Sequence, residues 1–150
     1  MTPTVPELLT GVLAAFSEPP PPEAGGEFMA GRIGVVGLIA LLAAQEAERG
    51  IAVRVEENEL IRGVLASAAP RWDQQLDGLL ARAAASSDDD LTLTALDRRN
   101  AELRRALIAL HAAVDEAGPQ HRPLQGEIVR LLARMAELRA LHLPAMPPRA

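Results

Sequence analysis

Residues 95–142 read ALDRRNAELRRALIALHAAVDEAGPQHRPLQGEIVRLLARMAELRALH, and this stretch decides the fold class. Positions 96, 100, 103, 107, 110, 114 and 117 alternate steps of four and three, and all are apolar except Asn100. Positions 124, 128, 131, 135, 138 and 142 repeat the pattern, and there the exception is His142. Such spacing puts every apolar residue on one side of a helix. Gly118-Pro119 ends the first helix and Pro123 opens the second, so residues 95–143 are expected to form an antiparallel helical hairpin. Counted outward from the turn, the two seams bring Asn100 and His142 to one level. A stranded buried amide or imidazole costs about 1–3 kcal/mol, which favours a facing pair. The competing expectation is that both meet water at the open end.

Upstream, the same periodicity recurs in shorter pieces. Trp72, Leu76, Leu79, Leu80 and Ala83 predict a helix over 71–85, and Leu60, Ile61, Val64, Leu65 and Ala68 predict one over 55–68. Residues 27–49 read as a longer helix closed by Gly50 in the left-handed conformation. Ile51–Val55 is left as the single strand candidate. Thr4 and Glu7 have the spacing of a capping box and start an N-terminal helix to about Phe16. Together these predict an all-α, bundle-like single domain of five or six helices over residues 1–150. Its parts are an N-terminal helix (1–18), a Pro/Gly linker (19–26), central helices (27–85), the hairpin (95–143) and a frayed tail (144–150).

The segment 27–49 carries the oddest composition. Ile33–Ala44 is an uncharged run of twelve residues, short of the roughly 20 that a membrane span requires. A helix buried on most sides is therefore expected, without a membrane span, and a cytoplasmic location follows by default. Gly31, Gly34 and Gly37 each cost about 1 kcal/mol against Ala in a helix, which close packing against another helix, of this chain or of a dimer mate, would offset. Arg32, one turn after Phe28, has two readings. It is an anion anchor for a carboxylate or phosphate, or it lays its stem on the core with its head in water.

Absent residue types exclude whole chemistries. The chain has no Cys, and all fifteen of its basic residues are Arg. Thiolate nucleophiles, cysteine metal sites, Schiff-base lysines and a P-loop lysine are all excluded. Phe16, Phe28 and Trp72 are the only aromatics apart from histidine, too few for a base-stacking platform, and a net charge of −5 opposes a phosphate-backbone binder. No nucleic-acid partner is expected. The charge is unevenly divided, with fourteen acids against six arginines in residues 1–94 and six against eight in 95–143. His111, His121 and His142 stand in no ExxH or HExxH pattern, so neither a metal nor another cofactor is expected. Asp88, Asp89 and Asp90 read as a solvated acidic turn within the loop Ser86–Asp90, and no serine sits in a nucleophile elbow.

ELLTGVLAAF from Glu7, then Phe28, Arg32-Ile33, Leu38-Ile39 and Gln45-Glu46, resemble a small family of all-helical bacterial proteins defined as a domain of unknown function. Glu59–Ala66 and Leu96–Arg105 extend the resemblance, which rests mainly on residues 7–70. The chain departs from that family where members often carry Asn after the Arg and this sequence has Gly34 to Gly37. Members are encoded near acyl-CoA dehydrogenases and kinases of the aminoglycoside-phosphotransferase type. The resemblance implies an accessory role in acyl-CoA metabolism and supplies no catalytic residue. The sequence thus points to a non-catalytic helical interaction module, working as a homo-oligomer such as a dimer or with a partner enzyme. An acyl-chain or acyl-CoA binder using Arg32, and an enzyme whose residues assemble from distant positions, stay open as alternatives.

Overall fold

The structure is a computed structural model that describes residues 3–5, 7–9, 11–12, 27–68, 71–140 and 142. The linker 19–26 and the tail 144–150 lie outside the described residues, as do the surroundings of Gly34. Every regular element among the described residues is helical, so the class is all-α. Beyond the N-terminal helical turns these are α1 (Glu27–Ala68), α2 (Gln74–Ala84), α3 (Leu93–Ala117), a 3-10 turn (Pro119–His121) and α4 (Arg122–Leu138). The chain divides into two compact units, Met1–Gly50 with Leu141–Ala150, and Ile51–Ala140.

In the first unit, the cap at Thr4 differs in detail from its expected form. The Glu7 carboxylate reaches back and accepts from the Thr4 backbone N–H at 2.7 Å, as a capping box requires. The Thr4 hydroxyl, however, donates to the same carboxylate at 3.0 Å instead of accepting the Glu7 amide. Both bonds favour the ionised form and hold the Glu7 carboxyl below its ordinary range. Gln45 makes a two-way contact with the backbone of His142, donating to its carbonyl at 2.6 Å and accepting from its N–H at 2.9 Å.

Residues 27–49 are expected to form a helix buried on most sides, and the described part of that segment is instead exposed along much of its surface. Val35 is 52% and Leu38 42% exposed, and a Cβ built on Gly31 or Gly37 meets nothing within 4 Å. Gly37→Ala is accordingly expected to raise the melting temperature, by the equivalent of up to about 1 kcal/mol of helix propensity. A lower midpoint in a thermal melt would show a covered glycine edge instead.

A second correction concerns Gly50. The helix does not close there: α1 continues for 42 residues through Gly50 and through the strand candidate Ile51–Val55. Among the described residues only Gly118, at φ 85°, takes a positive φ, so Gly50 supplies no left-handed cap. The reason lies in the buried side of α1. Ala43, Glu46, Gly50, Arg54, Glu57, Asn58, Ile61, Leu65 and Ala68 are all buried, at steps of three and four apart from the adjacent pair 57–58. Between 46 and 58 that stripe is polar or glycine, so apolar periodicity fades while helical burial continues.

The second unit has one core. Ile61, Leu65 and Ala68 from α1 and Leu80 from α2 pack with Leu103, Leu107, Leu110 and Val114 of α3, and Leu124, Ile128, Leu131 and Met135 of α4 close it. These α3 and α4 residues are the two seams expected from the sequence. The α2 helix starts later than expected, at Gln74, because Asp73 caps it by accepting from the Leu76 N–H at 2.8 Å. Trp72 precedes the helix, packs against the core, donates its indole N–H to the Ala68 carbonyl at 3.2 Å and sits 5.0 Å from the His121 ring. Thr92 caps α3, and its N–H and hydroxyl hold the Asp90 carboxyl below the usual range.

Candidate functional site

Polar residues on the buried side of α1 meet polar residues from three other places in the second unit. Arg54, 2% exposed, donates from Nε to Asp97 Oδ1 at 2.6 Å. Glu57, fully buried, accepts from Arg139 Nε at 2.6 Å, and its other oxygen lies 3.7 Å from Arg104 Nη2. Asn58 Nδ2 donates to Asp88 Oδ1 at 3.0 Å, and Asn58 Oδ1 accepts from Asn100 Nδ2 at 3.0 Å. Arg139 reaches Asn100 Oδ1 at 3.4 Å, and Arg62 Nη2 lies 2.7 Å from Asp88 Oδ1. One chain of contacts therefore joins α1, the loop before α3, α3 itself and the end of α4.

Each buried carboxylate here faces a guanidinium, Glu57 that of Arg139 and Asp88 that of Arg62, while Glu57 Oε1 and Asp88 Oδ2 are buried without a hydrogen-bond partner among the described residues. Replacing such pairs by apolar residues is often neutral in stability, whereas a lone Asn in a seam can fix register. The arrangement is a frame of polar contacts that ties α1, α3 and the end of α4 together within this unit. Two expectations change as a result. Asp88 is not solvated, its side chain being 7% exposed, because Arg62 and Asn58 draw it inward; Asp89 and Asp90 remain exposed. Of the two readings of Asn100, burial is the one observed, but its partners are Asn58 and Arg139 and not His142. The α4 helix ends at Leu138, so His142 is not the next position of its seam. A backward extension of the 60–61–64–65–68 stripe by helical steps leads to 57, 58 and 54, which is the signal that would have found the frame.

Beside this frame lies an open groove of about 350 Å³. One wall is α1, with Leu60, Gly63, Val64 and Ser67; the other is α4, with Glu127, Arg130, Leu131 and Arg134. Leu60, Val64 and Leu131 make it mostly apolar, and the wall at Gly63 is open, since a Cβ there would meet nothing within 4 Å. The Arg134 charge is answered inside the chain, by Glu56 at 2.7 Å and Glu137 at 3.4 Å, and these pairs push its pKa upward. Glu127 and Arg130 make no hydrogen bond or ion pair among the described residues.

No family model, curated protein or solved structure matches this chain. Function is therefore read from its own residues. Arg32 is half-buried in the first half of α1 and has a partner within the chain. His111 stands 3.9 Å from Asp115, and no group of three His, Asp or Glu able to hold a metal occurs among the described residues. No described helix is long and apolar enough to cross a membrane.

Proposed function

We propose that this chain is a non-catalytic helical interaction module whose working surface is the groove between α1 and α4. The observation that carries this reading is an apolar cleft left open beside a frame of buried ion pairs. Rigid backing of this kind lowers the ordering cost of binding a partner helix. The resemblance over residues 7–70 supports an accessory role in acyl-CoA metabolism, with a partner enzyme or a second copy bound to the groove.

Gly63→Arg tests the reading cleanly. Residue 63 is exposed, a helix interior favours Arg over Gly, and the long side chain fills the groove. The variant is expected to melt no lower than the wild type and to lose the association that native mass spectrometry detects for the wild type, with itself or with a co-purified protein. Association unchanged in Gly63→Arg would overturn the reading.

A further inference from the structure

We infer that the last turn of α4 is a releasable latch, in which Glu57 passes from Arg139 to Arg104 when that turn opens. Glu57 has no exposed surface, and its two oxygens stand in different surroundings. Oε2 accepts from Arg139 Nε at 2.6 Å, while Oε1 is buried without a hydrogen-bond partner among the described residues and lies 3.7 Å from Arg104 Nη2. The two guanidiniums are anchored differently. Arg139 caps the C-terminal end of α4, where its N–H donates to the Met135 carbonyl at 3.2 Å and that of Ala140 to the Glu137 carbonyl at 3.1 Å. Helix ends open at far lower cost than packed helix centres. Arg104 stands instead in the middle of α3, one turn after Asn100. There α1 and α3 are tied by Arg54 to Asp97 at 2.6 Å and by Asn100 to Asn58 at 3.0 Å, and neither bond uses α4. Glu57 and Arg104 therefore stay beside one another when Arg139 leaves. A buried carboxylate stripped of its cation would oppose that opening strongly. Arg104, 42% exposed and a short side-chain movement from Oε1, answers the charge and lowers the opposition.

Native-state hydrogen exchange on the full chain, read at the amides of Leu138, Arg139 and Ala140, tests the latch. Arg104→Met removes the partner that receives Glu57 in the open turn, and is expected to slow exchange at these amides at least about fivefold. A residue that merely braced the closed structure would speed exchange when removed. Arg104→Lys keeps a cation at the position and is expected to exchange faster than Arg104→Met, toward the wild-type rate. Urea unfolding supplies a second readout. Arg104→Met is expected to raise the unfolding constant by less than about threefold in the wild-type chain, and by more than about tenfold in Arg139→Met, where Arg104 is the cation left beside Glu57. Exchange at the end of α4 that is unchanged or faster in Arg104→Met would overturn the inference, as would equal losses from Arg104→Met in the two backgrounds.

Discussion

Arg139→Met is expected to destabilise the second unit by about 3 kcal/mol or more in urea unfolding, near the lower end of the cost of breaking a buried ion pair. Glu57 has no exposed surface, and Arg139 supplies its one close cationic partner, at 2.6 Å. The guanidinium of Arg104 stands at 3.7 Å and is itself 42% exposed, which leaves it able to compensate only in part. Met keeps the length and much of the apolar stem of Arg, so the loss measures the charge and its hydrogen bonds. Adding Glu57→Leu to the same chain removes the stranded carboxylate and is expected to recover most of the lost stability. A single variant within about 1 kcal/mol of the wild type would show that the Arg139–Glu57 pair does not hold this part of the unit together.

Leu110→Ala is expected to cost about 2–5 kcal/mol, the range for truncating a fully buried leucine in a core that closes only partly around the cavity. Leu110 is 0% exposed at the centre of the α3 seam, among core residues from α1, α2 and α4. Its neighbour Ile108 provides the control. It lies on the same helix but is 68% exposed, so Ile108→Ala is expected to stay within about 0.5 kcal/mol of the wild type. Equal losses at 108 and 110 would refute the facing of α3, as would a cost at Leu110 below about 1 kcal/mol.

The sequence by itself determined the all-α class and the facing of α3 and α4. At positions 96, 103, 107, 110, 114, 124, 128, 131, 135 and 138 an apolar residue recurs at helical spacing, and each of these is buried. There, hydrophobic burial and helical geometry demand the same residues, so a pattern in one dimension carries the answer. Only the tertiary structure decided the course of α1 and the groove beside it. From Glu46 to Asn58 the buried side of α1 is polar, and a polar residue reads as surface until its partner is known. Those partners, Asp88, Asp97, Asn100 and Arg139, stand 30 to 82 residues away, and no local spacing signals them. The groove is similarly non-local. Leu60 and Val64 belong to one apolar stripe and Leu131 to another, and which edge of each stays open depends on how the helices pack, because burial is a property of the assembled surface and periodicity a property of each helix alone.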